Sequence, residues 1–196
     1  INLSISKGEN IAIVGSTGSG KTSLVNLLCR FYEPTAGRIL IDGIDYRARS
    51  LAWLQSNLGI VLQSSHIFGG SIADNIRYGK LDATRDEIVT AAKKAGAHGF
   101  ISQIDGDYDS EVGKAGARLS AGEKQLISFA RAILADPAIL VMDEATSSVD
   151  TVTEQEIQRG LSELLQGRIS LVIAHRLSTI RQADRILVLE HGEIIE

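Results

Sequence analysis

The chain has 196 residues, of which 44% are hydrophobic and 22% are charged, a composition that predicts one folded domain with a sizeable core and excludes a disordered tail. Its formal net charge is −4, so the composition gives no sign of the basic surface that sequence-independent binding to nucleic acid requires. The single cysteine, Cys29, excludes an internal disulfide and fits a reducing compartment.

Strand-like and helical patterns alternate along the chain. Residues 1–6 alternate in polarity like a strand, and His191-Gly192 favours a closing hairpin. The apolar runs with the length of a buried strand lie at residues 11–15, 38–41, 58–62, 138–142, 169–174 and 185–189. Segments with helical spacing of apolar residues lie at 21–30, 85–97, 123–134 and 152–165. Strands that alternate with helices predict an α/β fold with a mostly parallel sheet covered on both faces.

One long stretch lacks strand-like runs. Helical patterns dominate from residue 64 to residue 137, and strand-like runs return at residue 138. We therefore predict a single domain, residues 1–196, in which an α/β core (1–63 and 138–196) carries a helical subdomain (64–137). Both ends lack a terminating turn, so the chain is expected to be a fragment of a longer protein. It has no apolar stretch near the roughly 20 residues of a spanning helix, so the fragment itself is expected to be soluble.

A glycine-rich octapeptide follows the strand-like run at 11–15. Residues 15–22 read GSTGSGKT and fit the pattern G-x-x-x-x-G-K-[ST], placed between a strand and an amphipathic helix as that motif requires. The glycines let the backbone fold around phosphate, and N–H groups at a helix start attract anions. Lys21 can reach the β- and γ-phosphates, and the Thr22 hydroxyl can bind Mg²⁺. The predicted ATP-contacting residues are Gly15, Ser16, Thr17, Gly18, Ser19, Gly20, Lys21, Thr22 and Ser23.

Two acids end the apolar run at 138–142. Side chains at the carboxyl end of a parallel strand point into the ligand crevice, so Asp143 can hold Mg²⁺ directly or through water. Glu144 points the other way from its neighbour and can accept the proton of an attacking water. These residues alone also fit two solvated acids, and the phosphate loop in the same chain favours the metal and base roles.

Residues 119–125, which read LSAGEKQ, resemble the signature of ABC transporters, usually LSGGQ. Together with the order of the other motifs, this segment makes nearly the whole chain resemble the nucleotide-binding domain of ABC transporters, in particular exporters whose ATPase is fused behind a membrane domain. The resemblance implies an α/β P-loop NTPase (RecA-like) fold. It implies a mostly parallel sheet core, a helical signature subdomain and a small antiparallel β part at the N-terminus.

The resemblance assigns further residues to the site. Gln63, which begins the exporter-like segment 63–79, resembles the family's Q-loop residue that touches Mg²⁺ or the lytic water. His175 resembles the switch histidine that contacts the γ-phosphate, and residues 147–150 resemble the D-loop at the dimer interface. The implied catalytic residues are Lys21, Gln63, Glu144 and His175, and the implied Mg²⁺ ligands are Thr22, Gln63 and Asp143.

The signature segment carries two implications of its own. Ser120 is a good helix N-cap, and the family uses Ser120 and Gly122 to contact ATP held by the partner subunit. Ala121 replaces a glycine and Glu123 replaces a glutamine of the usual signature, changes that put the strength of the composite site in doubt. The family also stacks adenine on an aromatic that precedes residue 1, so this contact is expected to lie outside the chain.

The resemblance predicts an ATPase that uses ATP and Mg²⁺ and couples head-to-tail dimerisation to transport by an exporter. The implied partners are a second ABC ATPase domain and a membrane domain, fused N-terminally and touched by residues 110–113, at the cytoplasmic face of the membrane. Two alternatives stay open: a soluble ABC ATPase not coupled to transport, and a weakly active partner in a heterodimeric exporter. A P-loop kinase leaves residues 119–125 unexplained.

Overall fold

The computed structural model describes residues 1–144 and 150–196. In these ranges the strands are β1 (Asn10–Val14), β2 (Leu40–Ile41), β3 (Ile44–Asp45), β4 (Leu58–Val61), β5 (Ile139–Asp143), β6 (Ile169–Ile173), β7 (Arg185–Glu190) and β8 (Glu193–Ile194). The helices are α1 (Lys21–Leu28), α2 (Leu51–Asn57), α3 (Ile72–Arg77), α4 (Arg85–Lys94), α5 (His98–Ile101), α6 (Ala121–Ala135), α7 (Thr151–Leu165) and α8 (Leu177–Gln182). Short 3₁₀ turns lie at Tyr46–Ala48, Asp107–Asp109 and Lys114–Gly116.

The main sheet has the strand order β4-β5-β6-β1-β7-β8. β1 pairs in parallel with β6 and with β7, β5 pairs in parallel with β6, and β8 closes the edge as an antiparallel hairpin with β7. β2 and β3 form a separate antiparallel pair. The predicted α/β fold with a mostly parallel sheet and a small antiparallel part is therefore confirmed.

The centre of the main sheet is buried, as continuous apolar strands require. Ile11 and Ile13 of β1 pack in one cluster with Leu171 of β6 and Leu187 of β7. The partly buried Leu24 of α1 packs against the same cluster. The apolar face of α1 thus covers the strand that leads into it, and this packing fixes the position of the loop between them.

Residues 1–6 correct one expectation, because they form no strand. Their alternation is real, since Leu3 and Ile5 are partly buried against the core cluster while their neighbours are exposed. The chain nevertheless makes no ladder there. Alternation predicts which side chains face the core, but a strand also needs a neighbouring backbone to pair with.

The chain divides into two compact units. The first contains Ile1–Ile60, Pro137–Glu144 and Gly167–Glu196, and the second contains Val61–Asp136 with the described part of Ala145–Gln166. In the second unit α6 packs against α3, α4 and α7. These units are defined by how tightly the residues pack and do not test the predicted subdomain boundaries. The helical subdomain at residues 64–137 therefore stays a prediction. Among the described residues, no helix combines the length and apolar character needed to cross a membrane.

Gly160 of α7 lies in close contact with the C-terminal end of α4. A Cβ atom there would overlap the backbone oxygen of Ala95, which cannot move as a side chain can. We expect Gly160→Ala to lower the free energy of unfolding by about 1–3 kcal/mol, measured by urea denaturation. Gly99→Ala in α5 is the matched control, because nothing lies within 4 Å of its added methyl group. An equal effect of both substitutions would contradict the packing argument.

Candidate functional site

The glycine-rich loop between β1 and α1 depends on two close backbone approaches. Gly15 has φ 154°, and a Cβ atom there would overlap the backbone oxygen of Leu189 and lie 2.6 Å from the Ser19 hydroxyl. Gly20, the N-cap of α1, is left-handed and lies against Gly192 in the β7–β8 turn. Both positions therefore require glycine, for steric as well as conformational reasons.

Lys21 is folded into this loop. Its Nζ donates hydrogen bonds to the backbone oxygens of Gly15 at 2.8 Å and Ser16 at 2.9 Å. The Gly192 N–H donates to the Ser19 oxygen at 2.8 Å and ties the loop to the β7–β8 hairpin. The first turn of α1 contains no acidic residue. The loop thus combines the Lys21 ammonium, held in place by hydrogen bonds, with the N-terminus of α1. Both create the positive potential that favours phosphate binding.

Asp143 ends β5 beside the side chains of Lys21 and His175. Burial raises the pKa of its carboxyl above the ordinary 3.8, although His175 and Lys21 partly offset that rise. In the β5–β6 register Asp143 lies opposite Ile173, so His175 follows two residues later at the same sheet edge. Its Nε2 is 3.8 Å from the Asp143 Oδ1. The structure therefore brings Lys21, Asp143 and His175 together at the carboxyl ends of parallel strands.

Glu144 points away from this group, into the start of α8. It is 3% exposed. Its Oε2 accepts hydrogen bonds from the backbone N–H groups of His175 and Arg176, each at 3.0 Å. Its Oε1 accepts one from the Thr179 hydroxyl at 2.6 Å. Sequence reasoning missed Thr179 and Arg176, because no local pattern links residue 179 to an acid 35 positions earlier.

The other predicted residues belong to the second unit. Gln63 is exposed just after β4, Ser120 is an exposed N-cap of α6, and Gly122 is buried in the first turn of that helix. Ser120 and Glu123 form a capping box: the Ser120 hydroxyl accepts from Glu123 N at 3.2 Å, and Glu123 Oε2 accepts from Ser120 N at 2.7 Å. The S-x-x-E spacing at residues 120–123 is the sequence signal for this arrangement.

Arg131 anchors α6, the helix that begins at the signature segment. Its guanidinium donates to the backbone oxygens of Asn75 at 2.9 Å and His66 at 3.0 Å, and lies over the ring of Phe68 at 5.3 Å. These contacts fix the helix against residues 66–75 of the segment that Gln63 begins.

The predicted D-loop falls mostly outside the described residues, which omit Ser147, Ser148 and Val149. Asp150 is described and caps α7, its Oδ1 accepting hydrogen bonds from Val152 N at 3.1 Å and Thr153 N at 3.0 Å. Hydrogen bonding to the backbone of Thr153 is the main cause that lowers the pKa of Asp150.

Comparisons with known proteins agree with one another. A protein-family model described as "ABC transporter" matches residues 1–147. The chain is 53% identical over its whole length to an ATP-dependent lipid A-core flippase of Syntrophus aciditrophicus, and covers 33% of that protein. It is likewise 53% identical to a fatty acid ABC transporter ATP-binding/permease protein of Mycobacterium bovis, and covers 31% of it. The chain thus spans about a third of these relatives.

A solved structure is also similar. It is described as a bacterial Atm1-family ABC exporter with ATP bound, and it matches with a TM-score of 0.90 at 45% sequence identity. The match covers 98% of this chain and 34% of that chain. At this identity the likeness extends to both sequence and fold.

The buried carboxyl of Asp143 predicts a dependence of stability on pH. Because burial raises its pKa in the folded state above 3.8, the folded chain keeps this proton longer than the unfolded chain as pH rises. The free energy of unfolding therefore falls as pH rises from about 3.8 through the folded-state pKa. We expect Asp143→Asn to be more stable than wild type at pH 7, and the difference to shrink as pH approaches 4.

Urea denaturation at a series of pH values, without nucleotide, measures this difference. Asp105→Asn, which alters an exposed aspartate in a turn, is the control and should match wild type throughout. An Asp143→Asn variant that is less stable than wild type at pH 7 would contradict the expected cost of ionising Asp143.

Proposed function

The chain belongs to the ABC transporter family, and on this premise we propose that it binds ATP with Mg²⁺, hydrolyses ATP and powers transport by an exporter. One observation carries the proposal: Lys21, Asp143 and His175 meet at one sheet edge beside a loop built for phosphate. The same edge presents the start of α1, whose N–H groups attract an anion. The 45% identical exporter structure with ATP bound supports ATP as the ligand.

In this proposal the loop residues 15–23 hold the phosphates. Their backbone N–H groups and the Lys21 ammonium supply positive charge at fixed positions, so little reorganisation is needed as charge develops on the γ-phosphate. Lys21 would exchange one of its bonds to the Gly15 and Ser16 oxygens for a bond to a phosphate oxygen.

Mg²⁺ is proposed to bind beside the phosphates through hard oxygen donors. The Thr22 hydroxyl is exposed on α1, and the half-buried Asp143 carboxylate is destabilised by burial, as its raised pKa indicates. A divalent cation would favour the ionised form of Asp143, so the donor set fits the ion. Gln63 is the third proposed ligand. Bound Mg²⁺ would neutralise charge on the phosphates.

Hydrolysis is proposed to proceed by in-line attack of water on the γ-phosphate. Glu144 accepts the proton of the water, His175 orients the γ-phosphate, and Gln63 contacts the lytic water. Lys21 stabilises charge on the leaving and transferring oxygens. For the base role Glu144 must turn from its present hydrogen bonds, since a general base has to lie within about 2.6–3.2 Å of the attacking water.

Two such domains are proposed to bind head to tail, with Ser120 and Gly122 of one subunit contacting ATP held by the other. The closing and opening of this dimer would drive a membrane domain between two states. Membrane coupling is supported by the relative named as an ATP-binding/permease protein. The site of action would then be the cytoplasmic face of a membrane.

A second candidate is a weakly active partner within a heterodimeric exporter. The observation that favours it is the capping box of Glu123, which places a carboxylate at the start of the helix proposed to face ATP. A negative charge there opposes an approaching phosphate. The Ala121 methyl group, exposed at the first position of α6, adds bulk at the same place.

Glu144→Gln tests the proposed function. Because an amide cannot accept the proton of the water, we expect ATP hydrolysis at least about 100-fold slower, with ATP binding retained. Light scattering should show dimers of the variant with Mg-ATP and monomers with Mg-ADP, and thermal shift should report binding of both nucleotides. Normal turnover in this variant would rule out Glu144 as the base, and failure of the wild type to bind ATP would contradict the proposal as a whole.

Glu123→Gln tests the second candidate. The glutamine amide oxygen can still accept the hydrogen bond from Ser120 N, so the cap survives while the charge is removed. We expect the ATP concentration for half-maximal dimerisation to fall about two- to fivefold. Glu163→Gln, an equal charge change at an exposed position of α7, should leave it unchanged. Equal shifts in both variants would mean that net charge, not the signature, is responsible.

A further inference from the structure

Three hydrogen bonds hold the Glu144 carboxylate within the described part of the chain, and we call this group the Glu144 latch. It consists of the Glu144 carboxylate, the backbone N–H groups of His175 and Arg176, and the Thr179 hydroxyl. The Arg176 Nε also faces the carboxylate, 3.7 Å from Oε1. Glu144 and Thr179 are each 3% exposed. Both oxygens of the carboxylate are therefore engaged, deep inside the first unit.

This arrangement suits a resting state better than a reacting one. Hydrogen bonds to a charged carboxylate are stronger than bonds between neutral groups. A buried carboxylate bound on both oxygens lies out of reach of a water that attacks phosphate on the Asp143 side of the strand. For Glu144 to accept a proton from such a water, at least one oxygen has to leave its partners in the latch.

We propose that Thr179 is a positioning residue that holds Glu144 in this resting orientation, and that release of its hydrogen bond precedes ATP hydrolysis. The inference rests on the proposed function, because it concerns when the base becomes available. Thr179 touches Glu144 through its hydroxyl and acts only through it. Of the groups in the latch that bind the carboxylate, two are backbone N–H groups, and Thr179 contributes the 2.6 Å side-chain hydrogen bond.

The latch is built on the segment that also carries His175. The His175 backbone N–H binds Glu144, while its ring lies 3.8 Å from Asp143. A shift of residues 175–179 would therefore move the His175 ring and, at the same time, change the hydrogen bonds to the Glu144 carboxylate. Contact of His175 with a γ-phosphate would weaken the latch in the same movement, which links release of the base to the presence of substrate.

Two nearly isosteric variants of Thr179 separate this role from a structural one. Thr179→Val keeps the shape and removes the hydroxyl, whereas Thr179→Ser keeps the hydroxyl and removes the methyl group. In the full-length protein we expect kcat for ATP hydrolysis to rise at least about threefold in the Val variant, because the released orientation becomes more populated on the order of tenfold. The KM for ATP should stay within about twofold, since the Thr179 hydroxyl acts on Glu144 and not on a proposed ATP-binding group. Thr179→Ser should restore the wild-type kcat.

Hydrogen exchange of the His175 and Arg176 amides, measured without nucleotide, supplies a readout that does not depend on activity. Loss of the latch should speed exchange on the order of tenfold in Thr179→Val and not in Thr179→Ser. Thr179→Ala, which also lacks the hydroxyl, replaces Val with the same expectations if the Val variant does not fold.

The outcomes for the latch and for the proposed function are distinct. Unchanged amide exchange in the variants without the hydroxyl overturns the latch, whatever happens to hydrolysis. A kcat that stays the same or falls, with wild-type hydrolysis normal and Glu144→Gln inactive, overturns the claim that Thr179 holds Glu144 at rest. Wild-type protein that does not hydrolyse ATP contradicts the proposed function instead.

Discussion

The parallel pairing of β1 with β6 and β7 is the constraint on which the candidate site depends. Ile13 lies opposite Ile173 on one side and Leu187 on the other. The phosphate loop follows β1, His175 follows β6, and Leu189 in β7 contacts the loop at Gly15. Segments more than 150 residues apart in the chain thus reach one edge, because parallel strands bring their carboxyl ends together. No local interaction within the loop could achieve this placement.

Placement at this edge of the sheet destabilises the ionised carboxylate of Asp143. Its carboxyl is partly removed from water, and this burial raises its pKa although His175 and Lys21 partly offset the rise. A site that destabilises an ionised carboxylate before any ligand arrives gains more when a cation binds. Lys21 shows the complementary arrangement, since backbone oxygens of the loop hold its ammonium. In the proposed function, both side chains would bind ligands at some cost to the stability of the free protein.

Five strands of the main sheet, β4, β5, β6, β1 and β7, could be predicted from the sequence because each is a short apolar run, whereas β8 was indicated only by the His191-Gly192 turn before it. The resemblance to ABC transporter nucleotide-binding domains is confirmed by the comparisons. Residues 1–6 were predicted as a strand wrongly, since alternation does not report whether a pairing partner exists. The short helices α2 and α8 escaped detection because six or seven residues carry too little periodicity. The surroundings of Glu144 could not be predicted either, because its contact with Thr179 exists only once β5 and β6 pair.

Asp143, which ends β5, and Glu144, which follows it, lie in contrasting surroundings. Successive side chains of a strand point to opposite faces, so Asp143 joins Lys21 and His175 while Glu144 enters the start of α8. If both carboxylates faced the phosphate loop at rest, their mutual repulsion would disfavour the ionised pair. Because the two side chains point to opposite faces of the strand, this repulsion is avoided. The backbone N–H groups of residues 175 and 176 donate hydrogen bonds to Glu144 instead. If Glu144 acts as the proposed base, movement of the segment after β6 would release its carboxylate without any movement of the strand.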